Sequence, residues 1–466
     1  MTRLSSVALV AAALGATAAG LAPPAAAAGA YVRGSAGLGD PYYPRAGNGG
    51  YEVAHYGLEL RYRPDSRHLG AAARIRARAT RNLKRFDLDF RRLHISGLRV
   101  NGKPASFSRK GQELRIRPRP RLRRGQRFRV WIRYRGTPRP LRDPLGAKYG
   151  WIPTGDGAFV AGEPTGAPTW FPCNDYPTDK ATYHFQVTVP RGTTAVANGT
   201  LEERIEHRHR TTFVWSENSP MATYLATVTS GRFRVTQSDV SGIPSYVAVD
   251  PREAGTGPGA LLRIADILAL FGSTFGAYPF EATGAIVDHT SAVGYALETQ
   301  TRPLVPQTPG TGLLSHELAH QWFGDDVTPR RWRQIWLNEG FATWASWYWD
   351  ANDGGPSLRQ SFMQQYATPA RSTGFWNPPP GNPGGPARLF SGSVYDRGAM
   401  TLEALREKIG SAAFFQVLRD WVAKHRHGNA GTKGFIHLAE ADSGIDLDHF
   451  FKVWLFRKGK PKRGSW

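Results

Sequence analysis

The sequence contains a single cysteine, Cys173, among 466 residues. One cysteine cannot form an internal disulfide, so the folded state has to be held together by packing rather than by cross-links. Cys173 directly follows Trp170-Phe171-Pro172, which is an apolar setting. This setting favours a small buried side chain over a cysteine nucleophile.

Acidic residues are scarce relative to basic ones, since 37 Asp and Glu stand against 60 Lys and Arg and give a net charge of +23. Such an excess favours contact with anionic surfaces, acidic peptides or nucleic acid. However, Arg74, Arg76 and Arg78 alternate with the apolar Ile75 and Ala77, as in a strand with one solvated face. No nucleic-acid-binding motif accompanies them, so we predict no nucleic-acid partner.

After the first residues, the chain has no apolar run long enough to span a bilayer, so we expect no stable membrane insertion. Residues 1–28 have the pattern of a secretory signal peptide: Arg3, then the apolar stretch Val7 to Leu14, then Ala26-Ala27-Ala28 as the cleavage site. A membrane anchor is the alternative interpretation. There is no twin-arginine pair, so the pattern predicts ordinary Sec-type export and a secreted protein, with association with the cell wall left open.

The hydrophobic pattern divides the remaining chain into two parts. From 31 to 237 the period is mostly two, as in Tyr56, Leu58, Leu60 and Tyr62, which predicts an N-terminal antiparallel β domain. From 245 to 457 the period is mainly helical. Predicted helices include one on the apolar positions 261, 262, 265, 268 and 271, and others at 399–408, 412–424 and 446–456. Residues 458–466 look like a basic tail, and the Pro- and Gly-rich stretch 377–386 is predicted to border a cleft.

The segment His316-Glu317-Leu318-Ala319-His320 carries the most specific chemistry. Two histidines four apart on a helix point the same way, so they can bind one Zn²⁺ while Glu317 acts on water. Eighteen residues separate His320 from Glu339, whose carboxylate would complete a three-ligand site with one open position, as in a catalytic zinc site.

The residues after His320 exclude one competing class. A metzincin would need glycine at position 323 and histidine at position 326, but these are Phe323 and Asp326. The zinc motif together with Asn338-Glu339-Gly340-Phe341-Ala342 resembles the aminopeptidase N family of zinc metallopeptidases, the gluzincins. This resemblance implies a saddle-like N-terminal β domain followed by a thermolysin-like, mainly helical catalytic domain, and one zinc ion held by His316, His320 and Glu339.

Two further segments resemble family motifs that bind the substrate's amino terminus. In Gly294-Tyr295-Ala296-Leu297-Glu298-Thr299, the run from Ala296 to Glu298 matches the centre of the exopeptidase motif G-A-M-E-N. The resemblance implies a strand that pairs with substrate through Ala296 and Leu297, while Glu298 binds the α-amino group. Tyr295 and Thr299 depart from the motif. Glu163, in Glu163-Pro164-Thr165-Gly166-Ala167, matches the second amine-binding carboxylate, and Ala161 stands where the family has glutamine.

A third segment, Val394-Tyr395-Asp396-Arg397-Gly398-Ala399, resembles the family segment that holds the catalytic tyrosine. The resemblance implies that Tyr395 stabilises the oxyanion. It covers nearly all of the chain from the β domain to about Leu455 and stops where larger relatives continue into further domains. We therefore expect a more open cleft, which would accept a wider range of peptide lengths.

These features together predict a secreted zinc aminopeptidase that acts on peptides with a free amino terminus, with Glu317 as general base. One alternative is a thermolysin-like endopeptidase, which usually carries Asp four residues after the glutamate ligand, where this chain has Thr343. The other is a zinc-containing, non-catalytic protein that binds peptides or anionic cell-wall polymer. First-residue preference, physiological substrate, oligomeric state and any epoxide-hydrolase side activity have no sequence pattern to predict them.

Overall fold

The computed structural model describes residues 29–253, 259–289, 293–305, 309–462 and 464. All elements below belong to the unit Tyr31–Trp466. The predicted signal peptide, 1–28, lies outside the described residues. No helix in the described ranges is long and apolar enough to cross a membrane.

The N-terminal half of this unit is built from strands whose apolar side chains alternate with polar ones, as the period-two pattern predicts. In chain order the strands are β1 (Val32–Arg33), β2 (Tyr51–Arg63), β3 (His68–Ala79), β4 (Leu83–Asp89), β5 (His94–Val100), β6 (Lys103–Pro104), β7 (Ser106–Lys110), β8 (Glu113–Arg117), β9 (Arg127–Gly136), β10 (Leu141–Arg142), β11 (Lys148–Pro153), β12 (Ala158–Ala161), β13 (Ala181–Pro190), β14 (Thr194–Ala197), β15 (Thr200–Glu206), β16 (Arg210–Met221) and β17 (Val228–Gly231).

Among the described residues these strands form three sheets. The largest has the order β15-β16-β13-β2-β3-β9-β5-β6, and the others are β1-β4-β8-β7 and β10-β11-β12-β17-β14. The prediction of an antiparallel domain is correct for most pairs, but β2 pairs with β13 in parallel and β1 pairs with β4 in parallel. Parallel neighbours need a long connection, and more than a hundred residues separate β2 from β13 along the chain.

The C-terminal half combines a small sheet with helices. Its strands are β18 (Arg234–Val240), β19 (Ile243–Val249), β20 (Thr283–Val287), β21 (Leu304–Val305), β22 (Thr328–Pro329) and β23 (Asn429–Ala430), and its helices are α1 (Ile264–Phe275), α2 (Thr311–Ala319), α3 (Trp336–Asn352), α4 (Leu358–Tyr366), α5 (Thr373–Trp376), α6 (Gly398–Ile409), α7 (Ser411–His425), α8 (Thr432–Ser443) and α9 (Asp448–Phe451). Strands β18 to β21 form one sheet. The predicted boundary at 237 therefore falls inside β18, because that strand pairs with β19 rather than with the N-terminal sheets.

The predicted helices are present with shifted bounds. The pattern at 261–271 corresponds to a short 3-10 turn, Gly259–Arg263, followed by α1. Leu262, which was predicted to lie on the apolar face, is 71% exposed because it belongs to that turn, whose period differs from that of an α-helix. The helix predicted at 446–456 is α9 continued by a π-helical turn, Lys452–Phe456.

The C-terminal residues pack more closely than a basic tail would. Arg397, which is fully buried, donates hydrogen bonds to five carbonyl oxygens: those of Trp376, Val453, Trp454, Arg457 and Gly459. Tyr366 donates to the carbonyl of Pro461, and Lys460 lies over the Tyr366 ring. Residues 458–461 are therefore anchored to the rest of the chain, unlike the free basic tail that was predicted for 458–466.

The stretch 377–386 was predicted to border a cleft, but its contacts are with other segments of the chain. The amide of Gly381 donates to the carbonyl of Leu455, and Tyr42 contacts both Asn382 and Gly384. The cleft wall is formed instead by the residues just after this stretch, Phe390 and Gly392.

Candidate active site

Helix α2 presents the two histidines of the zinc motif on one side, as their spacing of four predicts. His316 lies inside the helix, and His320 is the residue that follows its last turn. Their imidazole rings are 4.8 Å apart, and the two Nε2 atoms are separated by 3.1 Å. His320 is buried and His316 is partly exposed, and both side chains line the cleft.

Helix α3 places Glu339 in its first turn, where the helix dipole favours a carboxylate. Glu339 Oε2 lies 3.4 Å from Nε2 of His316 and 3.4 Å from Nε2 of His320. Burial opposes the charge of Glu339, but His320 and His316 lower its pKa to about 2. The carboxylate is therefore held ionised between two imidazole nitrogens.

These three donors fit Zn²⁺. Zinc–ligand bonds of about 2.0–2.1 Å in a tetrahedral arrangement place neighbouring ligand atoms about 3.3 Å apart. The three separations in the site are 3.1, 3.4 and 3.4 Å. Two imidazoles and one carboxylate also form a donor set of the kind that catalytic zinc sites use, with one position left for water or substrate.

A hydrogen bond of Nδ1, the ring nitrogen that faces away from the other zinc ligands, fixes the orientation of the His320 ring. Its Nδ1 donates to the carbonyl of Phe323 at 3.1 Å, which leaves the Nε2 lone pair for a metal. The next residue, Gly324, has φ +134°, and a side chain there would meet the amide of Asn338 at 3.0 Å. Tyr224, from the N-terminal half, donates to the carbonyl of Gly324 at 2.8 Å. The ligand geometry thus depends on both halves of the molecule.

Two further glutamates, Glu163 and Glu298, line the same cleft next to the zinc ligands. Glu163 follows β12, and Glu298 follows Leu297, which forms an antiparallel bridge with Leu304. One oxygen of each lies within 4.8 Å of the other and of a Glu339 oxygen. Oε1 of Glu163 and Oε1 of Glu298 have no hydrogen-bond partner among the described residues. Two buried carboxylates with free oxygens face the cleft side by side.

The electrostatics of this pair are unfavourable for two negative charges. Burial, and then the charge of Glu298, raise the pKa of Glu163 well above its ordinary value. Burial raises the pKa of Glu298 to about 7, although His320 opposes the shift. A cation between them would relieve this repulsion, so the pair is suited to a protonated amine.

Gln321 holds the Glu298 segment against the zinc helix, and the sequence analysis missed it. Its side chain accepts a hydrogen bond from the amide of Thr301 at 2.7 Å and donates to Asp325 at 2.8 Å and to the carbonyl of Glu298 at 3.4 Å. The sequence offers one signal for this role: Gln321 directly follows His320, where the helix of the zinc motif ends.

The two departures from the exopeptidase motif have local roles. The Tyr295 hydroxyl donates to the carbonyl of Lys148 at 2.9 Å, which ties the segment to β11. Thr299 is buried and its hydroxyl donates to the carbonyl of Arg302. Ala296 lines the cleft, as predicted. Leu297 does not, because its side chain is buried and both its N–H and C=O pair with Leu304.

Glu317 and Tyr395 occupy the positions of a base and a hydrogen-bond donor. Glu317 lies on α2, and one of its oxygens is within 4.8 Å of ligand atoms of His320 and Glu298. Burial raises its pKa, with His320 opposing. The Tyr395 ring stacks on His316 at 6.0 Å. Burial, and then Glu339, raise the pKa of the Tyr395 hydroxyl, so it stays protonated and can donate.

A glycine contact places Tyr395 beside the zinc ligands. Gly340 follows Glu339 on α3, and Gly398 begins α6 directly after the π-helical turn Ser393–Arg397 that contains Tyr395. A Cβ at Gly340 would lie 2.9 Å from the Cα of Gly398. Only glycine allows this approach, so the two residues set the distance between the turn and Glu339.

All these groups line one cleft of about 640 Å³. Its lining includes Glu163, Glu298, His316, Glu317, His320, Glu339 and Tyr395. The structure therefore brings together every catalytic, metal-ligating and amine-binding side chain predicted from sequence, whereas Leu297, predicted to pair with substrate, is not among the lining residues. A three-donor zinc site, a carboxylate base on the same helix and an open cleft define the class of zinc metallopeptidases.

The comparisons with known proteins agree with this class. The Peptidase M1 N-terminal domain matches residues 52–225, and the Peptidase family M1 domain matches residues 262–454. The chain belongs to peptidase family M1. The resemblance to the aminopeptidase N family, and the fold of a β-rich domain followed by a helical catalytic domain, are confirmed.

Similar curated proteins include Aminopeptidase M1 of Arabidopsis thaliana, 29% identical over 64% of this chain, and the Alanine/arginine aminopeptidase of Saccharomyces cerevisiae, 29% identical over 68%. The matched region spans 36% and 40% of those two proteins' own length. The matched region therefore covers less than half of each of these relatives.

Solved structures match over most of the chain. A mutant of an M1 zinc metallopeptidase from Deinococcus radiodurans, bound to a Tyr-Ser-Ala substrate, superimposes with a TM-score of 0.85 and 28% identity, covering 91% of this chain and 99% of that one. A two-domain M1 zinc metallopeptidase bound to L-arginine has a TM-score of 0.85, 29% identity and the same coverage.

Proposed function

We propose that this protein is a zinc-dependent aminopeptidase that removes the first residue of peptides with a free amino terminus. The observation that carries the proposal is the pair Glu163 and Glu298, whose buried oxygens lack partners within the described residues and lie beside the zinc ligands. The names of the curated relatives, which are aminopeptidases, and the peptide bound to one solved relative support it.

Glu163 and Glu298 bind the protonated amino terminus through charge-assisted hydrogen bonds. They lie within 4.8 Å of Glu339, so an amine held there places the first peptide bond over the metal ligands. A blocked terminus brings no positive charge and leaves two carboxylates facing each other unpaired. The pair therefore selects for exopeptidase action.

Zinc held by His316, His320 and Glu339 would polarise the scissile carbonyl and lower the pKa of water to about 7. Glu317 accepts the proton from the attacking water and passes it to the leaving amine. Tyr395 donates a hydrogen bond to the oxygen on which negative charge develops, as a donor in an oxyanion hole does. Each step uses a side chain that already lines the cleft.

We also propose that the protein is exported, on the basis of the signal pattern in residues 1–28. Edman sequencing of the protein recovered from the culture medium would test this. Recovery of a chain starting close after Ala28 is expected, and recovery of the protein only from inside the cells, with its first residues retained, would contradict export.

The central experiment uses one peptide in two forms, with a free and with an acetylated amino terminus, and the zinc-loaded protein. Release of the first residue from the free form alone is expected. Internal cleavage of both forms would establish an endopeptidase and overturn the roles of Glu163 and Glu298. Bound zinc without any turnover would establish a non-catalytic binding protein instead.

A further inference from the structure

The outward face of the large sheet carries an unusual density of arginine. On β3, Arg74, Arg76 and Arg78 are exposed and alternate with buried residues, and on β9 Arg127, Arg129 and Arg133 do the same. These six side chains, called the arginine face below, lie on adjacent antiparallel strands. They share no lining residue with the catalytic cleft within the part of the chain that the structure describes.

The pairing register opposes like charges on this face. Arg76 is directly opposite Arg129, and Arg78 is directly opposite Arg127. Like charges at such positions destabilise a sheet. Of the six arginines only Arg74 has an ion pair within the described ranges, with Glu59. Arg78 also lies opposite Glu52 on β2, so the pair without an opposed acidic residue is Arg76 with Arg129, whose repulsion an external anion would relieve.

A tryptophan lies among these charges. Trp131 is half-buried, on the same face of β9, between Arg129 and Arg133 in sequence. Its cross-strand partners are Arg74 on β3 and Arg99 on β5. The ring lies close to Gly97, where a Cβ would meet it at 2.9 Å. Trp131 thus has four arginines as its neighbours in the sheet, two along β9 and two on the adjacent strands.

The surface over these residues is a continuous trough. Three depressions of about 740, 620 and 990 Å³ follow one another along the strands. The first and second share Arg74 and Trp131, and the second and third share Arg76 and Arg129. From Gly70 to Arg78 the trough extends about 26 Å at about 3.3 Å per residue. Its length suits an extended chain rather than a small ion.

The potential of this face affects a neighbouring group. His55, on β2, pairs with Arg76. Burial, and then the positive charge of Arg76, lower the pKa of His55 to about 4. The histidine therefore stays neutral near pH 7 and leaves the positive charge to the arginines.

We propose that the arginine face binds a linear anionic polysaccharide, with the arginines on its acidic groups and Trp131 stacked on a sugar ring. Carboxylates and other oxyanions are the groups that guanidinium recognises through paired hydrogen bonds. Single-stranded nucleic acid would call for aromatic side chains under successive bases, and Trp131 is the one tryptophan, tyrosine or phenylalanine on the outward side of β3 and β9. A trough between side chains also suits a polymer chain better than a planar bilayer.

The test is isothermal titration calorimetry of the full chain with an oligogalacturonate, a polymer of carboxylated sugars. Substitution of an opposed pair, R76Q together with R129Q, is expected to weaken binding by about tenfold or more. The matched control, R208Q together with R234Q, removes the same charge from exposed positions off this face and is expected to change affinity by less than about twofold. Melting curves establish that each variant folds.

A second substitution separates sugar from charge. Trp131→Ala is expected to weaken binding of the oligogalacturonate about fivefold and to leave binding of poly-L-glutamate unchanged, because only the sugar offers a ring to stack. Equal losses in the two arginine variants would overturn the proposal, since net charge alone would then explain binding. Tighter binding of poly-L-glutamate, of a single-stranded polynucleotide or of anionic vesicles would overturn it in favour of that partner class.

Discussion

Neighbouring glutamates of the catalytic cleft, Glu339 at the zinc end and the pair Glu163 and Glu298 at the amine end, are buried in opposite electrostatic settings. At the zinc end, Glu339 lies between two imidazoles, and His320 and His316 lower its pKa to about 2 despite burial. At the amine end, burial raises the pKa of Glu298 to about 7 and that of Glu163 well above its ordinary value. The same residue type is thus prepared for a metal in one place and for a substrate cation in the other. The settings differ because the chain supplies two imidazoles beside Glu339, whereas Oε1 of Glu163 and Oε1 of Glu298 have no hydrogen-bond partner among the described residues.

The largest expected effect concerns the base between these two ends. Glu317→Gln removes the proton acceptor but none of the three zinc ligands, so kcat should fall by about 10²–10⁴-fold. Metal analysis should show unchanged zinc content. Glu339→Ala is the contrasting variant and should lose zinc as well as activity. Full activity in Glu317→Gln would refute the assignment of the base.

Tyr395→Phe should lower kcat by about 10²–10³-fold, because one oxyanion donor is lost. KM should change little, since the hydroxyl acts on charge that develops only in the transition state. Steady-state kinetics on one free peptide separates the two parameters. A rise in KM at constant kcat would instead place Tyr395 in ground-state binding.

At the amine end, Glu298→Gln and Glu163→Gln should each lower kcat/KM for a free peptide by about 10–150-fold, as for loss of a hydrogen bond to a charged group. The ratio of rates on free and acetylated peptides should narrow at the same time. Measuring both peptides with both variants tests directly whether Glu163 and Glu298 recognise the charged amino terminus. An unchanged ratio would show that the pair does not read the amino terminus.

The smallest effect concerns the contact that joins Tyr395 to the zinc end. Gly340→Ala forces a methyl group against Gly398, so the protein should lose about 1–3 kcal/mol of stability and part of its kcat. Gly272→Ala on α1 is the matched control, because a Cβ there meets nothing within 4 Å. Thermal unfolding of both variants decides whether the loss is specific to the glycine contact.

Much of the site was predictable because its residues are close in sequence. His316, Glu317 and His320 share one helix, so their spacing alone fixes their relative directions. The contact of Gly340 with Gly398 and the bonds of Gln321 to the Glu298 segment were not predictable, because each depends on how separate segments pack. Leu297 was predicted from the motif to pair with substrate, but its N–H and C=O pair with Leu304, and the motif alone does not say which backbone groups are already paired.

The fold shows the same division between local and non-local information. Alternation in β2 and β3 predicted strands with one buried face, and the structure confirms it. The parallel pairing of β2 with β13 has no local pattern, because register is chosen between segments far apart in the chain. The opposed arginines of β3 and β9 could not be predicted for the same reason, because their register is set between two strands. The alternation of Arg74, Arg76 and Arg78 within β3 could be read from the sequence.

Arg397 makes the active site depend on a segment far from it in sequence. It lies two residues after Tyr395 and donates hydrogen bonds to carbonyl groups of residues 453–459. Without that segment this buried guanidinium would lack four of its five acceptors, and an unpaired buried charge is costly. The turn that carries Tyr395 is therefore held in place by residues that never touch the substrate.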